Sequence, residues 1–284
     1  MISTNRYFSA ADSRAAIADH YDALDLFYRK VWGEHVHHGL WATGNEHKDE
    51  AIGALYRLIC DRIQVDTGER ICDVGCGYGA LARLLAREFD ARVTGLTVSQ
   101  RQWEYAESAG VGDSRLEFML RDWLENALPG DCFDKVVAVE SCEHMHDKEK
   151  FFQEIYRVLR PGGRFAVTAW LSREDPGRLE ERLLLRPICI EGRLPSLGSA
   201  CEYQDLIAKA GFCAFSFQDL TDRVRRTWTM CIRRFAARTA TDMDLMKKLF
   251  ARGFHNRIFA LTIFRLWLAY RTGSMRYGIF WGSK

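Results

Sequence analysis

The chain has 284 residues, enough for one large domain or a domain with a lid. Apolar residues make up 48%, which excludes a disordered chain, and a formal net charge of +2 points to no partner class. No run of about 18 uncharged apolar residues exists, which excludes a helical bilayer span.

The polar stretch 1–19 lacks the apolar core of a signal peptide. Nine cysteines without a CxxC pair fit a reduced, cytoplasmic compartment.

Residues 11–31 read as a helical opening that ends near Trp32-Gly33, and 34–41, rich in His and Gly, as a loop. Asp49 to Ile63 sets Ile52, Leu55, Leu58 and Ile59 at helical spacing. A strand–turn–helix follows: Arg70 to Val74, a glycine turn, then Ala80 to Phe89. Ala91 to Leu96 is a second strand, Gln100 to Gly110 a helix, and Leu116 to Leu120 a third strand. Phe133 to Val139 is a fourth strand after a Pro129-Gly130 turn. Lys148 to Leu159 is a helix closed by Pro161-Gly162-Gly163, and Arg164 to Trp170 a fifth strand. Further on, Ser199 to Ala210 reads as a capped helix and Phe212 to Asp219 as a strand. Residues 222–273 read as mostly helical, and Tyr277 to Trp281 as a final strand. This alternation predicts an α/β fold with a parallel, doubly wound sheet and helices on both faces.

The turn Cys72-Asp73-Val74-Gly75-Cys76-Gly77-Tyr78-Gly79 lies between a strand and a helix, where a nucleotide site belongs. Its glycines let the backbone turn sharply and approach a ligand. The spacing is G-x-G-x-G, not the dinucleotide G-x-G-x-x-G. Strand two ends in Gly95-Leu96-Thr97-Val98-Ser99, without the acid that holds a dinucleotide's ribose. Thr97 and Gln102 offer polar contacts in its place. After strand three, Asp122 can accept from an adenine amine and Trp123 can lie on its ring; core packing accounts for Trp123 equally well.

Phe27-Tyr28 with Trp32-Gly33-Glu34-His35-Val36-His37-His38-Gly39 resembles the first segment of tocopherol methyltransferases and plant-type N-methyltransferases. Gly95 to Gln102, Glu140 to Phe151 and Arg157 to Gly163 are similar too, so the likeness covers roughly residues 20–175. It implies a class I methyltransferase with a Rossmann-like sheet of about seven strands and a helical lid between the last two. The implied donor is S-adenosylmethionine, leaving as S-adenosylhomocysteine. The family's glycine turn maps onto Asp73, Gly75, Gly77 and Gly79 and its threonine–glutamine pair onto Thr97 and Gln102; Cys76, Asp122, Trp123 and Glu140 are further expected contacts, with Tyr21 closing over the donor. The implied division is an N-terminal helical segment (1–48), a cofactor-binding core (49–175), and a remainder (176–284) with a covering insertion at about 222–273.

Cyclopropane fatty acid and mycolic acid cyclases share the G-L-T-V-S pattern. They hold bicarbonate with a cysteine and a strand-five histidine. This chain has His37-His38-Gly39-Leu40 and Val167-Thr168-Ala169 at those places, which argues against cyclopropanation.

Methyl transfer to a phenol or amine needs a base near working pH, and to a carbon it needs an electron-rich acceptor. The candidates are Glu140, Glu143, His144 and His37 or His38, with His144 the better base for a phenol. Helix capping also accounts for Glu140 and His144. The expected acceptor is a hydrophobic small molecule methylated on oxygen. The alternatives are carbon, nitrogen, or a cofactor-binding protein without catalysis. Glu34, His35, His37 and His38 do not make a full ligand set, so no metal is expected.

Arg223 to Arg276 holds thirteen Arg and Lys against Asp242 and Asp244. Trp228, Phe264, Trp267 and Tyr270 interleave with them. A lid over the acceptor is the first reading; peripheral contact with an anionic membrane, a pocket for an anionic group and a solvated face are the others. Nucleic acid is disfavoured, because the basic residues alternate with apolar ones that a lid buries.

Overall fold

Residues 70–74 read R-I-C-D-V, and every side chain after Arg70 is buried, so this strand lies at the centre of a sheet. The computed structural model describes residues 17–19, 21–22, 37–241 and 254–284. The segment Phe27 to Val36, which carries part of the family likeness, lies outside the described residues.

In chain order the elements are α1 (Lys48–Ile63), β1 (Arg70–Val74), α2 (Ala80–Phe89), β2 (Arg92–Thr97), α3 (Gln100–Gly110), β3 (Leu116–Leu120), β4 (Phe133–Val139) and α4 (Lys148–Val158). Then come β5 (Leu159–Ser172), α5 (Arg186–Glu191), α6 (Ala200–Lys209), β6 (Ala214–Asp219), α7 (Arg226–Thr241), α8 (Phe254–Thr272) and β7 (Met275–Ser283). A π-helical stretch, Glu181–Leu185, leads into α5.

The seven strands run β3-β2-β1-β4-β5-β7-β6. β1 to β5 are parallel, and β7 is antiparallel to both β5 and β6. This is the class I methyltransferase arrangement. Alternation along the strands splits the core in two. Ile71, Val137, Val139, Tyr277 and Ile279 face a layer that includes α1, α2, α7 and α8. Cys72, Val74, Val136, Ala138 and Phe280 face α4 and α6.

Two strands outrun their hydrophobic patterns. The turn expected at Pro161-Gly162-Gly163 is a bulge inside β5: Leu159 already pairs with Phe133, and the register shifts before Arg164 meets Lys135. Gly162, at φ 78°, carries the excess chain. β7 extends from Met275 to Ser283 because β5 pairs along its whole length. Among the described residues, the insertion between β6 and β7 holds a short helical turn, Thr221–Val224, then α7 and α8. No helix among the described residues is long and apolar enough to cross a membrane.

Candidate active site

A cavity of about 360 Å³ opens at the carboxyl ends of β1, β2, β4 and β5. Open α/β sheets bind ligands at this edge, where the strand order reverses. β1 delivers the glycine turn to it. Gly75 has φ 73°, and a Cβ on it would stand 2.4 Å from Ser141 Cβ. Ser141 cannot easily give way, because its Oγ donates to Val74 O at 2.7 Å. At Gly77, φ 54°, a Cβ would point into open space. The turn is thus tight on its protein side and clear on the other. Beneath it, Asp73 is buried and its Oδ2 has no hydrogen-bond partner. Burial pushes its carboxyl up to about 7. An unpartnered acid under a cleared glycine turn fits a ligand that carries an amino group and a nucleoside.

Gly75→Ala is therefore expected to weaken S-adenosylhomocysteine binding by at least about tenfold and to destabilise the protein by about 1–3 kcal/mol. Titration calorimetry and thermal melting measure the two effects separately.

β2 and α3 supply the next wall. Thr97 Oγ1 donates to Gln102 Oε1 at 2.9 Å, and both residues line the cavity. Ser99 caps α3 by accepting from Gln102 N at 3.2 Å. Ser99 Oγ in turn donates to Asp22 Oδ1 at 2.5 Å, and Arg101 N reaches the same oxygen at 3.2 Å. Next to Asp22, Tyr21 OH and His144 Nε2 are 2.9 Å apart. Residues 21 and 22 thus join the α3 start to the loop after β4.

At the end of β4 the chain takes Glu140 to φ 52°, a left-handed position that a non-glycine residue occupies at a cost. Four donors hold it. Glu140 Oε1 accepts from His38 N and Tyr277 OH, both at 2.8 Å. Oε2 accepts from Trp170 Nε1 and lies against His38 Nδ1, both at 3.0 Å. Burial opposes ionisation here, but the His38 ring, His37 and the Trp170 indole hold the carboxyl down to about 2. His38 is 1% exposed, and its Nε2 has no partner. Its ring sits 4.9–5.5 Å from the rings of Trp170, Trp228, Tyr270 and Tyr277.

Glu143 is equally buried, yet Trp170 N and the Cys142 thiol are its carboxyl's hydrogen-bond partners. Burial pushes it up to about 8, with Trp170 N–H opposing and Glu140 adding to the rise.

Of the residues expected from sequence, Tyr21, His38, Gly75, Gly77, Thr97, Gln102, Trp123, Glu140, Glu143 and His144 line this one cavity. Asp73, Cys76, Gly79 and Asp122 adjoin it without lining it. Cys76 N is bonded to Leu96 O at 2.9 Å, and Asp122 caps a short turn through Leu124 N at 2.9 Å. Trp123 is 2% exposed, and its Nε1 donates to Phe151 O at 3.2 Å, so it belongs to the core as well as to the wall.

Trp170, Ile188 and Leu194 carried no sequence signal, and Trp228 stood out only as one of the aromatics of the basic insertion. They come from strand ends and from the insertions, and they give the far side of the cavity its apolar lining. α8 adds Ile263 and Leu266. Glu191 on α5 pairs with Arg265 and accepts from Thr262 Oγ1 at 2.5 Å, which ties α5 to α8. Among the described residues no His, Cys, Asp or Glu group could hold a metal ion.

Residues 8–265 match the family described as mycolic acid cyclopropane synthetase. The chain is 33% identical over 220 residues to the 27-O-demethylrifamycin SV methyltransferase of Amycolatopsis mediterranei (strain S699), covering 76% of this chain and 80% of that one. It is 28% identical over 286 residues to the chloroplastic tocopherol O-methyltransferase of Arabidopsis thaliana, covering 94% and 81%. The crystal structure of the 4+2 cyclase SpnF superposes with a TM-score of 0.81 at 26% identity, covering 96% of each chain.

Proposed function

The chain belongs to the mycolic acid cyclopropane synthetase family and is an S-adenosylmethionine-dependent methyltransferase; we propose that it methylates a hydroxyl oxygen of a lipophilic, phenolic or polyketide-like small molecule, with His38 as general base. The observation that carries this reading is the buried His38–Glu140 pair on the cavity wall.

A carboxylate can only accept, so with Glu140 ionised the His38 proton sits on Nδ1. Nε2 is then a lone-pair acceptor. It takes the acceptor's hydroxyl proton, and Glu140 stabilises the imidazolium that forms. The chain needs little more than this, since S-adenosylmethionine brings a methyl group already activated on a sulfonium. Asp73 would hold the cofactor's amino group, Gly75 and Gly77 would let it approach, and Thr97 and Gln102 would meet its ribose. Asp122 and Trp123 would meet its adenine. Tyr21 and Asp22 cover this end, and the Tyr21–His144 contact anchors that cover. Ile188, Leu194, Trp228, Ile263 and Leu266 would take the acceptor's apolar body.

In functional terms the chain then divides into an N-terminal segment to residue 48, a cofactor-binding core to 175, and a remainder whose insertions hold the acceptor.

A neighbour described as a cyclase shares the fold, so the assay follows the methyl group itself. Labelled donor incubated with phenolic, aromatic-carbon and amine acceptors is expected to give O-methyl ethers. Label found only on carbon or nitrogen, or in no product, would refute the assignment to oxygen.

The acceptor is collected at an anionic membrane by a protein that is otherwise cytoplasmic. The support is the outer surface of the helices whose inner faces line the cavity. Leu179 is 71% exposed, Leu183 59%, Leu261 48% and Phe264 51%. Arg178, Arg182 and Arg186 are exposed beside them, and Arg271 lies over Trp267 at 4.7 Å. Apolar residues ringed by arginine suit a charged lipid interface. In flotation assays the protein is expected to rise with anionic liposomes and to stay behind with zwitterionic ones. Equal, negligible recovery in both would remove the membrane from the scheme.

A further inference from the structure

Two carboxyls line one cavity and live in opposite surroundings. Glu140 is held by four donors. Glu143 is 1% exposed, and the described residues give its carboxyl no cation. The nearby Lys148 Nζ is directed elsewhere, to Glu143 O at 3.4 Å, Met145 O at 3.1 Å and Ser196 Oγ at 3.2 Å. Trp170 touches both acids: its indole N–H donates to Glu140 and its backbone N–H to Glu143. The Trp170 N–H occupies Glu143 Oε1, so Oε2, 3.6 Å from the Cys142 thiol, is the place for a carboxyl proton. The titratable groups acting on Glu143 agree with this. Glu140 repels a second charge, Cys142, Tyr203, Tyr270 and Tyr277 are neutral groups, and Lys148 alone opposes. Sites that push two acids apart assign them different roles.

We propose that Glu143 donates a hydrogen bond from its carboxyl O–H to a carbonyl oxygen of the acceptor, so that the substrates of this enzyme are hydroxylated ketones, quinones or lactones rather than plain phenols. This rests on the acceptor site described above and adds a second polar anchor to it. The hydroxyl goes to His38, the carbonyl to Glu143, and the hydrocarbon to the lid. Carbonyls only accept, so a neutral carboxyl suits them where a carboxylate would repel them.

The test is a binding measurement and needs no turnover. 6-Hydroxy-1-tetralone and 5,6,7,8-tetrahydro-2-naphthol differ by one carbonyl. Each is titrated calorimetrically into protein saturated with S-adenosylhomocysteine, at pH about 6.5 and about 9.5. At the lower pH the wild type is expected to prefer the ketone by about tenfold or more, and to lose that preference at the higher pH. Glu143→Gln keeps a donor that does not titrate, so its preference should survive at both values. That variant also controls for ionisation of the probes. Glu143→Ala, confirmed as folded by its melting curve, should show no preference at either. Equal affinity for the two probes at pH about 6.5, or a preference that persists in Glu143→Ala, overturns the proposal. The role of His38 is judged by methyl transfer, so failure here leaves that reading standing and failure there leaves this one.

Discussion

His38→Asn is expected to lower kcat by about 10²- to 10⁴-fold and to leave S-adenosylhomocysteine affinity nearly unchanged. The variant is chosen for what it keeps. An asparagine amide N–H can replace Nδ1–H toward Glu140 Oε2, now 3.0 Å away, so the carboxylate stays partnered. Nothing replaces Nε2, the atom with no partner in the resting protein. His38→Ala is a poorer probe: the ring packs against Trp170, Trp228, Tyr270 and Tyr277, and its removal leaves a hole as well as a missing base. The expected pattern is loss of turnover with cofactor binding and melting temperature close to wild type. Full turnover in His38→Asn would move the base to His144, whose Nε2 now faces Tyr21 OH at 2.9 Å. His144→Ala would then carry the loss.

The parts of this protein legible in the sequence are those whose signal is local. The glycine turn, its flanking strand and helix, and β2 through α4 are each fixed by a run of residues a turn or a strand long. The structure places them within a residue or two of the hydrophobic pattern. The catalytic arrangement is different in kind. His38 meets Glu140 across 102 positions and Tyr277 meets it across 137. Trp170 and Tyr277 face each other across the β5–β7 pair, a register that no local pattern encodes. The loop His37-His38 was visible as a candidate, but which ring turns toward Glu140 depends on that register. Glu140's left-handed backbone was hidden for a related reason, since only glycine advertises such a conformation. The two acids of the Glu140–Met145 segment look alike in sequence. They differ only in how many donors the folded chain turns toward each.

Glu140→Gln is expected to destabilise the protein by about 3 kcal/mol and to abolish most turnover. The glutamine carbonyl can still accept from His38 N and Tyr277 OH. Its amide nitrogen then faces the Trp170 indole N–H, donor against donor. His38 can accommodate it only by moving its own proton to Nε2, which removes the base. Structure and catalysis therefore fail together, and His38→Asn separates them. The pH dependence gives an independent check. Glu140's folded value, about 2, lies below the ordinary carboxylate value of about 4.3. Its contribution is present above that ordinary value and is lost as pH falls through about 2. Glu143 and Asp73 run the other way, with folded values of about 8 and about 7. Their contributions are complete below an unfolded value of about 4 and disappear as pH rises through the folded ones. Together these three groups favour the ligand-free fold most near pH 4–5 and withdraw that contribution on both sides. Glu140→Gln should flatten the acid side. It should also ease the alkaline side, because Glu143 no longer ionises beside a negative charge. An acid limb unchanged in Glu140→Gln would mean that Glu140 is not the ionised partner of His38, and the proposed base would lose the group that orients it.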